Sequence, residues 1–522
     1  MTTASTDMLR RAHERAELLR PGYRAAGLWS ADPLDVVRAA ARRDPSQTAI
    51  VDRRGQLSYA ELDKRIDVGC QALKAAGVAP TAPVLLVVGN DVDSVVAVHA
   101  AQRLDAVVLL IPRSAGHAQV ADIARRTGAV FGVAPNWADV AVADLPDGFV
   151  WLGWPPSGPA SVAAPSRPAD EPSFVLFTSG TTSAPKGVIH SLSTLAKASA
   201  NYIDAAGLGC NDRVFLISPL ASVTGVLQAL LIAPMLGAPV ILEDRWDPAN
   251  TCELLVAHGS TWYGGPDRLL NRLLDEALRG GRQIPLRAVY LGGTMLDRGI
   301  VERIEDDFGV IVMRAYGSSE VPVSTSGRRF EPRHLRHADD GGALRDVEVK
   351  IGSPKEPTEC CIRGPHTFLG YTDAAADQQA FEGDWYRTGD AGELIEGRLR
   401  IVGRLRDIVI RNGLKIPVAE VEEAIGRISG VRECAAYSVA DPTTGERLAA
   451  AVVMESGTTL SLSAVTESLI GAGLAKYKLP EELVFWDEPL PANVNGKVDR
   501  KTLDERSHGR PRETAKRLAD VT

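Results

Sequence analysis

The stretch that decides the fold is Phe174-Val175-Leu176-Phe177-Thr178-Ser179-Gly180-Thr181-Thr182-Ser183-Ala184-Pro185-Lys186-Gly187. Its first four residues are apolar and rich in β-formers, so they read as a strand. Hydroxyls and glycines follow, and then a lysine. Glycines let backbone N–H groups turn toward an anion, hydroxyls add donors, and the lysine adds a point charge, so a loop of this kind fed by a strand is suited to wrapping phosphates. It is not a Walker A loop, because Pro185 precedes the lysine where that motif requires glycine and Gly187 follows where it requires serine or threonine. Without the strand in front, the run would read as a polar turn.

Outward from this loop, the chain alternates short apolar runs with amphipathic segments from about residue 80, the pattern of a parallel sheet wrapped by helices. Strands are predicted at 84–88, 107–111, 240–242, 262–263, 289–291 and 310–312, and helices at 94–104, 266–278 and 298–308. Pro266 opens its helix where the missing N–H costs nothing. The Pro- and Gly-rich stretch 154–168 reads as a surface connection. After Gly403-Arg404-Leu405-Arg406-Asp407 the rhythm changes to helices at 419–428 and 461–470 and strands at 434–439 and 448–453. The fold class is therefore α/β, with a large N-terminal multi-layer α/β domain over 1–405, a small C-terminal α+β domain over 406–507, and a polar, flexible tail over 508–522.

A chain of 522 residues exceeds the size at which one core stops growing, which agrees with more than one domain. With 58 Lys and Arg against 66 Asp and Glu, the net charge is −8, and no basic block stands out. Nucleic acid and anionic membrane are thereby disfavoured as partners. The six cysteines form no Cys-x-x-Cys pair, so neither a disulfide framework nor a zinc site is indicated, and a cytoplasmic location fits best. The charged start, with Arg10, Arg11 and Arg15, does not read as a signal peptide. The uncharged run 219–242 is long enough to span a membrane, but its prolines, glycines, Gln228 and hydroxyls favour a buried helix-turn-strand.

Further motifs follow the loop: Tyr316-Gly317-Ser318-Ser319-Glu320, Tyr386-Arg387-Thr388-Gly389-Asp390, the Gly403–Asp407 stretch quoted above, and Pro491-Ala492-Asn493-Val494-Asn495-Gly496-Lys497. In order and separation they resemble the signatures of the adenylate-forming superfamily that contains acyl-CoA synthetases, nonribosomal-peptide adenylation domains and firefly luciferase. The likeness runs from Leu57-Ser58-Tyr59 to Gly496-Lys497, almost the whole chain. The resemblance implies ATP, Mg²⁺ and CoA, or the phosphopantetheine of a carrier protein, as cofactors. It implies that Thr178, Ser179, Gly180, Thr181, Thr182 and Lys186 hold the β and γ phosphates. Tyr316 would lie against the adenine and Gly317 and Ser319 would also bind ATP, with Glu320 as the magnesium ligand, a role suited to an ion that takes few carboxylates plus phosphate oxygens. Asp390 would accept hydrogen bonds from the ribose hydroxyls, and Arg404 would lie near the nucleotide. Lys497 would bridge carboxylate and α-phosphate, offsetting the repulsion between two anions. Lys186, Glu320 and Lys497 are thus the expected catalytic residues.

The same resemblance makes the small domain mobile, with Arg406 at the hinge, where relatives carry Asp or Lys, and Gly413 and Lys415 in the thiol tunnel. It places the acid against Ser222, Thr224, Val226, Leu227, Gly292, Gly293, Thr294 and Val321, each of which could equally be ordinary core. No aspartate between Pro219 and Gln228 is present to pair an α-ammonium, so an aliphatic, alicyclic or aromatic acid is favoured over an amino acid. Three further departures stand out beside Arg406: Ser222 replaces a common histidine, Ser319 a threonine, and Asp105 a glycine. The expected activity is an AMP-forming ligase that adenylates a carboxylic acid and passes it to CoA, in a monomer or homodimer. The alternatives are an enzyme that loads a carrier protein and a catalytically silent nucleotide-binding regulator, the latter disfavoured by the retained Lys186, Glu320, Asp390 and Lys497.

Overall fold

The computed structural model describes residues 3–137, 142–158, 164–178, 185–292, 298–412, 414–492 and 498–515. The strand predicted ahead of the phosphate loop is Pro172–Thr178. It lies in a seven-stranded sheet whose order is Gly370–Tyr371, Lys186–Ser191, Pro172–Thr178, Val107–Pro112, Pro83–Val88, Phe131–Val133 and Val150–Leu152. From Pro172–Thr178 onward the neighbours are parallel, and the first two strands are antiparallel additions. Residues 84–88 and 107–111 are at most 2% exposed, as expected of parallel strands covered on both faces and written as unbroken Val, Leu and Ile runs.

A second sheet runs in the order Gly342–Ala343, Thr325–Ser326, Ile311–Tyr316, Ala288–Gly292, Trp262–Gly265, Val214–Leu216, Val240–Leu242, Thr48–Asp52 and Gly55–Ser58, parallel from Ile311–Tyr316 to Thr48–Asp52. The helices predicted beside it appear as Asp267–Arg279 and Arg298–Phe308. The uncharged run is a buried helix-turn-strand: a helical segment over 223–236, Gly237 in the left-handed conformation, and the strand Val240–Leu242. Among the described residues no helix is long and apolar enough to cross a membrane.

Packing divides the chain into two compact units, one of 1–349, 362–386 and 397–399, the other of 350–361, 387–396 and 400–522. This division differs from the boundary expected between 405 and 406 in placing 400–405 and the mutually bonded segments 350–361 and 387–396 with the smaller unit; Gly392 N–H donates to the Thr358 carbonyl at 3.0 Å. The smaller unit holds a sheet ordered Leu414–Pro417, Ile408–Arg411, Gly445–Met454, Glu482–Trp486 and Arg512–Thr514, with Val431–Asp441 also on Gly445–Met454. Helices Val418–Gly426 and Leu462–Gly471 cover it, burying Val421, Ile425, Val465 and Leu469 against Ala450, Val452 and Leu483. The segment expected to be a flexible tail contributes Arg512–Thr514 to this sheet, in register with Glu482–Val484.

Asp105, the departure from glycine, follows the helix Val92–Arg103 at φ +61. Glycine is the usual residue in that left-handed position, and aspartate is among the few side chains that tolerate it. Its carboxylate repays the conformation by accepting the N–H of Ser166 at 2.9 Å, the hydroxyl of Ser166 at 2.5 Å and the N–H of Arg167 at 3.2 Å.

Candidate active site

Thr178 and Lys186 are partners across the antiparallel pair Pro172–Thr178 and Lys186–Ser191, so the two strands close on the loop between them. Ser179, Gly180, Thr181 and Thr182 lie outside the described residues, as do Gly293, Thr294, Gly413 and Lys497. Gly187 is required at the end of the loop, since a Cβ there would come within 2.6 Å of the Thr372 side chain.

The stretch 316–324 leaves the end of strand Ile311–Tyr316 and folds on itself. Ser318 N–H donates to the Val321 carbonyl at 3.3 Å, Glu320 N–H to Ser318 Oγ at 3.3 Å, and Ser324 N–H to the Tyr316 carbonyl at 2.8 Å. A Cβ on Gly317 would meet Val323 N at 2.4 Å, which explains the glycine. Val323 sits at φ +42, a conformation costly for a β-branched residue and sustained only where the surroundings impose it. Two buried histidines pin the turn. His190 Nε2 donates to the Ser319 carbonyl at 2.7 Å while Nδ1 faces Thr194 Oγ1 at 2.9 Å, and His366 Nε2 lies 2.8 Å from Ser324 Oγ. Burial holds both imidazoles neutral, lowering His190 to about 4 and His366 to about 3.

Glu320 is held at both ends. Its carbonyl accepts Phe368 N–H at 2.8 Å, and its Oε1 accepts the hydroxyl of Tyr371 at 2.7 Å. Burial, and then the charge of Glu320, push the Tyr371 phenol well up, so it stays a protonated donor. Lys186 Nζ stands 5.4 Å from the centre of the Tyr371 ring, within cation–π range. Tyr371 Oη is also 3.3 Å from Tyr386 Oη, and Phe368 packs edge-on to both rings at 4.8 and 5.1 Å. One tyrosine therefore touches the lysine expected on the phosphates and the acid expected on the metal.

The helical segment with the expected acid-binding residues starts at Ser222, whose Oγ accepts Gly225 N–H at 3.1 Å and donates to the Pro219 carbonyl at 2.7 Å. Serine at the place of the histidine is thus a helix cap, with both its donor and acceptor functions engaged. Thr224 is half-buried, and Val226 and Leu227 are buried at the start of a π-helix, Val226–Ile232. The wide turn precedes Pro234, whose ring would press on the Leu230 carbonyl in a regular α-helix. Gly292 ends its strand against Ala315, where a Cβ would lie 2.6 Å from the Ala315 carbonyl oxygen, and Val321 is fully buried.

In the smaller unit Asp390 and Arg404 are brought together, Nε to Oδ1 at 3.2 Å. Asp390 N–H donates to Thr388 Oγ1 at 3.1 Å, and Thr388 Oγ1 donates to the Cys360 carbonyl at 2.7 Å. Buried Glu359 accepts Arg387 Nε at 2.9 Å and Gly389 N–H at 3.2 Å, shaping the segment that carries Asp390. Arg406 lies in the 3₁₀ turn Leu405–Asp407, and Lys415 lies in strand Leu414–Pro417 opposite Ile410. Sequence reasoning missed Tyr371, His190, His366 and Glu359. Only His190 carried a signal, since it follows Lys186 by four residues on the strand that leaves the loop.

The two sheets of the larger unit and the α+β smaller unit define an adenylate-forming enzyme. The chain belongs to the AMP-binding enzyme family, matching it over residues 37–372, and matches the AMP-binding enzyme C-terminal domain over 420–497. It is 31% identical to a salicylyl-CoA synthase / salicylate adenylyltransferase of a Streptomyces species, over 94% of this chain and 96% of the relative. It is 28% identical to a salicyl-AMP ligase / salicyl-S-ArCP synthetase of Mycobacterium tuberculosis, over 92% of each. Among solved structures it is similar to ATP-bound MatB from Rhodopseudomonas palustris, with a TM-score of 0.82 at 25% identity over 91% of this chain and 99% of that one. ATP-dependent, AMP-forming acid–thiol ligation is accordingly its class of reaction.

Proposed function

We propose that this enzyme uses MgATP to adenylate a carboxylic acid uncharged apart from its carboxyl group, and passes the acyl group to CoA. The observation that carries the first half is the sharing of Tyr371 by Lys186 and Glu320, which gathers a cation and a carboxylate beside the strand pair that closes the phosphate loop. The residues fit Mg²⁺, which takes few carboxylates plus phosphate oxygens: Tyr371 engages one oxygen of Glu320 and no described residue bonds the other. When bound, the ion supplies charge neutralisation for the departing pyrophosphate. Lys186 adds a second cation toward the β and γ phosphates, Asp390 takes the ribose hydroxyls beside Arg404, and Lys497 draws carboxylate and α-phosphate together.

Val226, Leu227 and Val321 offer an apolar surface to the acid, and the absence of an acidic residue over 219–228 supports exclusion of α-amino acids. The salicylate relatives favour an aromatic acid within the aliphatic, alicyclic and aromatic range. Six scattered cysteines without a Cys-x-x-Cys pair support a reducing, cytoplasmic setting. In this reading residues after 405 form the mobile domain, turning at Arg406 to present Gly413 and Lys415 to the thiol.

Pyrophosphate exchange over a panel of acids tests the first half-reaction, and thioester formation with free CoA tests the second. Absence of exchange with every acid would remove adenylation and leave the silent regulator. Exchange without CoA turnover would favour carrier-protein loading, the second reading, which the S-ArCP synthetase relative supports. Lys497→Ala should lower exchange by about 100-fold or more, while thioester formation from supplied acyl-adenylate stays within about threefold.

A further inference from the structure

The N-terminal helix Thr3–Ala25 precedes the matched region of the family and lies against Pro172–Thr178, the strand that leads into the phosphate loop, and Gly370–Tyr371. Ala12 and Ala16, at 1% and 0% exposure, form its line of closest approach. At about 100° per residue, Arg11 and Arg15 flank one side of that line and Arg20 and Arg24 the other. Arg24 takes Asp170 in a two-pronged pair at 2.6 and 2.9 Å, and Arg20 and His13 reach Glu171 at 2.7 and 2.8 Å, so one side of the helix grips the residues just ahead of Pro172–Thr178.

The other side grips the opposite end of the hairpin. Gly370–Tyr371 is the edge strand of the seven-stranded sheet, so the N–H and C=O of Tyr371 have no neighbouring strand to bond. Asp377 Oδ1 accepts that N–H at 2.9 Å, Arg11 Nη2 donates to that carbonyl at 3.2 Å and to the Thr372 carbonyl at 3.1 Å, and Arg11 Nε stands 3.5 Å from Asp377. Thr372 Oγ1 in turn accepts Gly187 N–H at 3.2 Å. Arg11 thus fixes the backbone of the residue whose hydroxyl holds Glu320 and of the residue that braces the end of the phosphate loop.

We infer that the N-terminal helix is a positioning element of the nucleotide site, in which Arg11 sets the Glu320 carboxylate through Tyr371. This rests on the proposed role of Glu320 toward the metal–nucleotide complex. The test is binding of Mn²⁺–ATP to the full-length protein, followed by electron spin resonance and calorimetry, for Arg11→Met, Arg11→Lys, Tyr371→Phe, Glu320→Gln and the Arg11→Met/Tyr371→Phe double variant, each confirmed folded by its melting transition. Arg11→Met and Tyr371→Phe should each weaken binding by about fivefold, the double variant no more than the worse single, and Arg11→Lys should recover part of the loss. Multiplying losses, or wild-type affinity in Arg11→Met while Glu320→Gln is impaired, overturns the inference. Wild-type affinity in Glu320→Gln removes the proposed role of Glu320 and the inference with it.

Discussion

The two compact units hold their expected nucleotide groups in opposite ways. In the larger, the stretch 316–324 is cross-bonded within itself and pinned by His190, His366, Phe368 and Tyr371, so Glu320 is aimed before any ligand arrives. In the smaller, the buried Asp390 meets Arg404, whose side chain is 45% exposed, across a 3.2 Å bridge. Asp390 is itself only 7% exposed, so the bridge has one buried partner and one at the surface. The larger unit holds its carboxylate with a neutral phenol inside a cross-bonded turn, and the smaller sets its own against a half-exposed guanidinium.

The largest effect that would break this comparison is expected at Glu320. Glu320→Gln should lower pyrophosphate exchange by about 100-fold with the melting temperature unchanged, since the isosteric amide can still accept from Tyr371. Asp390→Asn should raise the KM for ATP by about tenfold and change kcat less, as expected for a group that binds the ribose equally before and during reaction. A loss at Asp390 equal to that at Glu320 would erase the distinction.

A third test uses pH. Burial lowers His99 and His190 to about 4 and His366 to about 3 from an ordinary value of 6.5, and all three lie in the larger unit. Between pH 6.5 and about 4 the unfolded chain binds these protons and the folded one does not, so stability is full above 6.5 and falls as pH drops, by up to about 1.4 kcal/mol per pH unit for each imidazole. Hydrogen exchange at pH 7.5 and 5.5, corrected for intrinsic rates, should lose protection in the larger unit more than in the smaller. Equal loss in both would contradict the assignment. The smallest effect is expected at Ser222, where Ser222→Ala should cost about 1 kcal/mol of stability through the lost cap. A rise in the KM for the acid with no change in melting would instead make the hydroxyl a substrate contact.

Much of the fold was legible because it depends on local pattern. The unbroken apolar runs at 84–88 and 107–111, the capped helices beside them, and the strand into the phosphate loop each follow from residues close in sequence. Glu320, Asp390 and Arg404 stood out only as parts of ordered motifs. Tyr371 was not legible, because its role depends on an edge strand about 50 residues beyond Glu320 and on Asp377 and Arg11 satisfying its backbone. His190 and His366 were missed since an isolated histidine in an apolar stretch is usually a satisfied core residue. Asp105 had no local explanation because its partners, Ser166 and Arg167, lie some 60 positions away. The strand Arg512–Thr514 was missed since three exposed polar residues on a sheet edge carry no alternation to read.

The π-helix Val226–Ile232 has a consequence for how this protein can diverge. Its Ala233 N–H bonds back to the Gln228 carbonyl five positions earlier, so the segment carries one residue more than an α-helix spanning the same ends. Loss of a single codon within it could restore α-helical geometry, keep the flanking turns in register and swing Val226 and Leu227 to new bearings. The wall expected to face the acid can thus be recut by a change in length, without any exchange of side chains.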